Sequence, residues 1–416
     1  MSKMKTYKLS ELYEMSSGIS SKKEQAGHGS PFASFSTVFN NTFLPDVLPD
    51  LMDTSEKEKE TYSIKAGDIF LTRTSETLDE LGMSSVAVKD YPNASYSGFL
   101  KRLRPTQKNI TYAKFMAFYL RSYLFRKTMN NNATMTLRAS LNEQIFSYLD
   151  IVLPEYNEQI KIGDLFHKIS QKIEINNKIN AALEAMAKTL YDYWFVQFDF
   201  PDKNGKPYKS SEGKMIFNEE LKREIPVGWE VETLLSIANF QNGLACQKFR
   251  PIDDNFLNVI KIKDMKEGFS SKTEKVRVDV PDKIKVFNGD ILFSWSASLE
   301  VIQWSGGKGA LNQHIFKVTS DKYPKSYYYF ELLNYLQHFK MMAELRKTTM
   351  GHITQEHLKQ SRIVIPPKEI INQLDKLINP ILDKINKGKI ENQKLSELRD
   401  WLLPMLMNGQ VRVGEK

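Results

Sequence analysis

Apolar residues come in short, strand-length runs through the first part of the chain. They then recur every seven positions, and the whole cycle is repeated once. Gly67-Asp68-Ile69-Phe70 opens an apolar run, and Gly289-Asp290-Ile291-Leu292 opens its counterpart. The runs Ala33 to Phe39, Gly67 to Thr72 and Ser85 to Val88 read as strands. Phe115, Met116, Tyr119, Leu120 and Tyr123 follow at helical spacing, matched by Tyr328, Leu332, Leu333, Leu336 and Phe339. A polar turn containing Thr134-Met135, or Thr349-Met350, leads to a closing strand, Ile151-Val152-Leu153-Pro154 or Ile363-Val364-Ile365-Pro366.

After each proline the period changes. Ile162, Ile169, Asn176, Leu183 and Leu190 fall every seven residues, with Leu165, Ile179, Met186 and Tyr193 at the complementary positions. That pattern predicts a coiled-coil helix from about Asn157 to Trp194. Ile378, Ile385 and Asn392 repeat one seam in the second copy, and Ile381, Leu395 and Leu402 the other. Pro380 and Gly388 interrupt this helix, so a kink or late start is expected there. Both helices place an asparagine on the seam, which costs stability and fixes register and partner.

The fold expected from these periods is α+β. Two similar mixed α/β domains are separated by two long antiparallel coiled-coil helices in a pseudo-two-fold plan. The expected boundaries are 1–153 for the first domain, 154–198 for the central helical spacer and 199–228 for a connector. The second domain then covers 229–365, the C-terminal spacer 366–408 and a tail 409–416. The connector expectation rests on the polar stretch Asp202 to Lys214.

Composition narrows the class. With 41% hydrophobic residues the chain is globular rather than disordered. A net charge of +8 is compatible with a polyanionic partner without requiring one, since 50 acidic residues are mixed among 58 basic ones. Cys246 is the single cysteine, so no intrachain disulfide or thiolate cluster can form. No apolar run approaches the roughly 18 residues of a membrane span, and a cytoplasmic location without membrane contact is expected.

Catalytic motifs are missing. Ser305-Gly306-Gly307-Lys308-Gly309 lacks phosphate-loop spacing, no GxGxxG follows a strand, and no Asn-Pro-Pro-aromatic or HExxH sequence occurs. Pro201-Asp202 followed by Glu212-Gly213-Lys214 imitates a metal-dependent nuclease pattern, but no apolar strands flank it to hold the carboxylates together.

Several segments resemble the specificity subunits of type I restriction-modification systems. They are Trp194 to Pro201, Asn204 to Ser211, Ile225-Pro226-Val227-Gly228-Trp229, Asn312 to Val318 and Leu395 to Leu403. The resemblance covers essentially the whole chain. It implies two target recognition domains, each reading one half of an asymmetric bipartite site in double-stranded DNA. It further implies that the helices dock two modification (methyltransferase) subunits and that restriction subunits join in the full complex. The chain itself is then non-catalytic and binds no cofactor or metal directly. S-adenosylmethionine, ATP and Mg²⁺ belong to the partner subunits.

A helix of about 38 residues rises about 57 Å, enough to separate two units whose half-sites lie about 34 Å apart on one face of B-DNA. Candidate DNA contacts lie in loops after the repeated strands. These are Thr72, Arg73, Thr74 and Ser75 in the first copy, and Ser294, Ser296 and Ser298 in the second. Arg138, Lys347 and His352 come from the Thr-Met loops. Lys101 and Arg102 (with Arg104) form one basic cluster, Lys248 and Arg250 another. Trp295 and His314 read instead as structural residues. Two other functions remain open on these residues alone: a coiled-coil protein with two peptide-binding heads, and an autonomous nuclease.

Overall fold

The computed structural model describes residues 4–75, 80–132, 134–135, 139–140, 143–345 and 352–414. The chain falls into two compact units, Met1–Lys172 with Leu395–Lys416, and Ile173–Lys394.

In the first unit a strand Met4–Lys8 pairs antiparallel with Asp150–Pro154, so the globular part is entered and left side by side. Within it, β1 (Tyr13–Ser17), β2 (Ile69–Thr72), β3 (Ser84–Val86) and β4 (Leu100–Pro105) form an antiparallel sheet of order β1-β4-β2-β3. A second small sheet joins Asp50–Met52, Ala26–Ala33 and Ser95–Tyr96, the last pair parallel. Phe70, Tyr96, Ile64, Leu100 and Val38 fill the core between them. The expected strand Ala33–Phe39 is corrected: Phe35–Asn40 is a helix. Ser34 caps it by accepting the Thr37 N–H at 3.2 Å, a local bond that a strand would not offer.

Helix α1 (Tyr156–Tyr191) then leaves the closing strand. Its first turns are docked in the first unit by Gln159, which is buried, accepts the Tyr112 N–H at 3.0 Å and donates to the Ile110 carbonyl at 2.8 Å. Gly163 lets the backbone of Phe115 approach, since a Cβ there would lie 2.6 Å from the Phe115 nitrogen.

The second unit repeats the plan. Glu230–Thr233 pairs with Arg362–Ile365. β5 (Asn239–Asn242), β6 (Ile291–Ser294), β7 (Glu300–Gln303) and β8 (Ile315–Thr319) form a sheet of order β5-β8-β6-β7, the same order as in the first unit. Phe256–Ile260 again pairs antiparallel with one strand and parallel with another, Gly309–Leu311. Helices α2 (Lys325–Leu345) and α3 (Lys368–Met407) complete the plan.

Within this unit α1 and α3 run antiparallel: Asn176 meets Asn392, whereas further along α1 Asn180 meets Gly388. Ile378 and Ile385 are buried, as are Asn176, Asn180, Ala187 and Tyr191. Leu183 and Leu190 are partly buried. The complementary seam is shifted by one residue from the sequence expectation, because Ile179 and Met186 are 43% and 54% exposed. Ile162 and Ile169 are buried in the first unit, where Leu395 is half-buried.

The late start allowed for α3 does not occur. It runs unbroken through Pro380, which faces solvent, so the carbonyl that loses its N–H partner sits on the wet side while Ile378 and Leu382 anchor the buried side.

Residues 199–228 are more than a polar connector. A π-helical turn, Asp192–Val196, ends α1. Phe200 stacks on Tyr208 at 4.6 Å, and Trp229 packs on Phe195, Phe198 and Phe200. Met215–Asn218 and Arg223–Pro226 form a hairpin. Five aromatics spread over 35 positions carry no period, which is why the sequence showed only a polar stretch.

Candidate nucleic-acid interface

The repeated Gly-Asp pair builds the same turn twice. Gly67 and Gly289 adopt φ of 91° and 93°, a left-handed conformation that a Cβ disfavours. Asp68 accepts the Lys65 N–H at 2.8 Å, and Asp290 accepts the Phe287 N–H at 2.9 Å. Each carboxylate is also anchored to a base on the neighbouring strand. Arg104 donates twice to Asp68, at 2.8 and 2.6 Å, and Lys317 lies 2.7 Å from Asp290. The half-buried Arg104 fork makes a charge-assisted pair with the fully buried Asp68, and that hydrogen bond raises the Arg104 pKa.

At the far end of these strands a hydroxyl locks the loop. Thr72 donates to the Glu80 carbonyl at 2.9 Å and accepts the Met83 N–H at 2.9 Å. Ser294 donates to the Ser298 carbonyl at 2.6 Å and accepts the Glu300 N–H at 2.9 Å. Thr72 and Ser294 are fully buried and Ser296 nearly so. This corrects their assignment as DNA contacts: the Thr72 and Ser294 hydroxyls hold the loops from within, and Ser296 is buried. Ser298 is half-buried and accepts from Lys266 at 2.9 Å.

The cluster at Lys101 and Arg102 also turns inward. Lys101 donates to the Ser17 hydroxyl at 2.8 Å, and burial lowers its pKa, helped by the neighbouring charge of Arg73. Arg102 donates to the Ser63 carbonyl at 2.8 Å and lies over the Tyr96 ring. Neither presents a free charge to a backbone phosphate, so both are corrected to structural roles. Lys248, Arg250, His352 and Arg73 are exposed. Thr74 and Ser75 form a short strand against Ala139–Ser140, and their side chains lie outside what is described. Arg138 and Lys347 lie outside the described residues altogether.

Around the locked loops the two copies match bond for bond. The Arg73 N–H donates to the Phe99 carbonyl at 2.8 Å, and the Trp295 N–H to the His314 carbonyl at 3.3 Å. The Ile19 N–H donates to Tyr96 at 2.9 Å, and the Leu244 N–H to Leu311 at 3.0 Å. The preceding glycines touch the same backbone: a Cβ on Gly18 would lie 2.3 Å from the Tyr96 oxygen, and one on Gly243 2.4 Å from the Leu311 oxygen. Ser17, Arg73, Gly98 and Phe99 therefore correspond to Asn242, Trp295, Gln313 and His314.

Trp295 and His314 are half-buried rather than core. The Trp295 indole N–H donates to the Asn242 Oδ1 at 3.1 Å, and its ring packs against His314 and His352 at 5.4 and 5.6 Å. The sequence names Trp295, His314 and His352 separately; that they pack as one cluster is visible only in the fold, because they stand 19 and 38 positions apart.

The nuclease-like carboxylates are occupied elsewhere. Asp202 caps its own turn by accepting the N–H groups of Asn204 and Lys206, each at 2.8 Å, and Glu212 is exposed at a φ of 64°. Among the described residues no group of His, Cys, Asp and Glu side chains is placed to hold a metal ion. Cys246 is buried against the Leu311 carbonyl, and burial pushes its thiol up to about 11, leaving it unreactive. No described helix is long and apolar enough to cross a membrane.

Comparison with known proteins places this architecture. The model of the type I restriction modification DNA specificity domain matches twice, over residues 1–185 and 226–400. The MjaIX specificity subunit of Methanocaldococcus jannaschii is 24% identical over 342 residues, spanning 79% of this chain and 76% of the relative. The HindI specificity subunit of Haemophilus influenzae is 24% identical over 439 residues, spanning 91% and 94%. The crystal structure of the S subunit from M. genitalium superposes with a TM-score of 0.63 at 12% identity, covering 100% of this chain and 97% of that one. The duplicated units and the double match together show that the chain belongs to the type I restriction-modification specificity subunits, a generally non-catalytic family that recognises DNA sequence.

Proposed function

We propose that the chain reads a split, asymmetric duplex sequence, one unit on each half, for a complex that methylates adenine. The observation that carries this reading is the duplication itself: the same sheet order and the same loop-locking bonds recur, while the exposed residues around them differ. Equal frames imply equal docking on duplex, and unequal rims imply unequal half-sites. The α1–α3 pair serves as spacer, and its length sets the gap between half-sites.

The same helices offer a docking face to two modification subunits. Ile175, Ile179 and Met186 are exposed on α1 in the second unit, and Leu398 and Trp401 on α3 in the first, Trp401 at 65%. Ile175, Ile179 and Met186 follow at four and seven residues, and Leu398 and Trp401 at three, so each set lies along one helix face, and an apolar stripe of this kind marks an interaction surface. The modification subunits would bring S-adenosylmethionine, and restriction subunits ATP and Mg²⁺. This chain would position them and do no chemistry.

Selection from randomised duplex by the chain assembled with its modification subunits tests the reading. One split motif with unequal halves is expected. A binder with two protein-directed heads would enrich no motif, and that result would end the DNA reading.

A further inference from the structure

The matched loops differ in the chemistry they present. In the first unit the guanidinium of Arg73 is exposed, and its Nη1 lies 3.4 Å from the Gly98 carbonyl. Gly98 has no side chain, so the fork can lie along the loop. Lys101 is buried and turned to the Ser17 hydroxyl, so the Arg73 fork carries the recognition by itself. Beside them Phe99 is 62% exposed. An exposed planar fork suits two acceptors side by side, which in the major groove is the O6/N7 edge of guanine.

The second unit has no cation at the matching positions. Where Gly98 leaves room, Gln313 carries a carboxamide whose Nε2 lies 3.2 Å from the His314 Nε2. Where Arg73 stands, Trp295 closes the rim and ties up the Asn242 Oδ1. A half-exposed amide with donor and acceptor side by side suits the N6/N7 edge of adenine.

We propose that Arg73 and Gln313 are specificity-determining residues. Arg73 selects guanine in the half-site of the first unit, and Gln313 selects adenine in the half-site of the second. The proposal rests on the DNA-recognition reading above, and names the bases that reading leaves open. Arg73 directly follows the buried Thr72 hydroxyl lock, and Gln313 directly follows Asn312, whose backbone the Gly243 contact holds from behind. A fork or amide can discriminate only when its own base is fixed in this way.

The experiment is motif selection from randomised duplex by the full chain assembled with its modification subunits, comparing wild type with Arg73→Ala, Arg73→Lys, Gln313→Ala and Gln313→Glu. Wild type is expected to enrich a guanine in one half and an adenine in the other. Arg73→Ala should relax that one guanine by on the order of ten- to a hundredfold, and Arg73→Lys by less, since an ammonium meets the same edge without the fork; the other half should stay intact. Gln313→Ala should relax the adenine alone, and Gln313→Glu should shift that position toward cytosine, whose N4 amino group donates to a carboxylate.

If Arg73→Ala weakens all sequences equally and Arg73→Lys restores binding, Arg73 is a phosphate contact and the proposal is overturned. An unchanged motif in the Ala variants overturns it as well. Failure of the wild type to enrich any motif is a separate result that removes the recognition reading and this one with it.

Discussion

The asparagine contact inside the helix pair predicts a measurable coupling. Asn176 donates from Nδ2 to the Asn392 Oδ1 at 2.8 Å and to the Glu391 Oε2 at 2.7 Å, and Asn392 donates to the Asn177 Oδ1 at 2.8 Å. Asn176 is 6% exposed, so water cannot replace a lost partner. Asn176→Ala loses one amide bond and one bond to a carboxylate, a cost of about 2–3 kcal/mol. Asn392→Ala loses two amide bonds and a long one to the Ile173 carbonyl at 3.5 Å in a half-exposed setting, about 1–2 kcal/mol. The Asn176–Asn392 bond is counted in both, so the double alanine variant should cost about 1 kcal/mol less than their sum. Asn176→Leu with Asn392→Leu should recover most of the loss, because two apolar groups then meet on the seam and the acceptors left behind, on Asn177 and Glu391, are exposed to water. Calorimetry of the full chain can follow this through the transition of the second unit, where about 1 kcal/mol moves Tm by roughly 2–4 °C. Additivity of the two alanine changes within about 0.3–0.5 kcal/mol would show that the asparagines do not act together, and the register argument would fall.

Other expectations follow from single contacts. Ser294→Ala should destabilise the second unit by about 1–3 kcal/mol, because it strands the buried Glu300 N–H, yet leave the selected motif unchanged. A changed motif with unchanged stability would return Ser294 to the DNA surface. Gly388→Leu should lower Tm, since even a Cβ would lie 2.7 Å from the Asn180 Oδ1 inside the helix pair; a neutral result would mean that the helices do not approach there. Burial raises the Glu331 carboxyl from 4.5 to about 7, while the hydrogen bond from Tyr191 and the charge of Arg223 oppose the rise. The folded state therefore holds a proton that the unfolded chain has released, and stability should fall as pH rises from about 4.5 through 7. Glu331→Gln should flatten that fall in pH-dependent unfolding, and an identical slope in both proteins would assign the effect elsewhere. Trp401→Ser should leave stability within about 0.5 kcal/mol of wild type while weakening co-purification with modification subunits; intact assembly would remove Trp401 from the docking face.

The repeat and the heptads were legible because each is a period, and periods survive divergence. Burial at the end of the repeated strands was not. All four residues of β2 and of β6 are buried, so alternation gives no hint of which way Thr72 or Ser294 points. Lys101 and Arg102 looked like a surface cluster because their long stems reach polar partners, Ser17 and Ser63, that lie far away in sequence. The aromatic packing of residues 195–229 and the Trp295 cluster likewise depend on partners dispersed along the chain. Pro380 misled for a different reason: propensity reports a local cost of about 3 kcal/mol, and the buried isoleucines and leucines on either side outweigh it.

The strand pairs that open and close each globular part have one more consequence. Met4–Lys8 lies against Asp150–Pro154, and Glu230–Thr233 against Arg362–Ile365, so each globular part begins and ends at a single two-stranded clasp. Everything between the clasp strands is a cassette whose two ends are already adjacent. Exchange of such a cassette for a diverged one would need compatibility only at the clasp and the helix beneath it. New specificities could then arise by recombination at two short seams, with no need to rebuild the fold residue by residue.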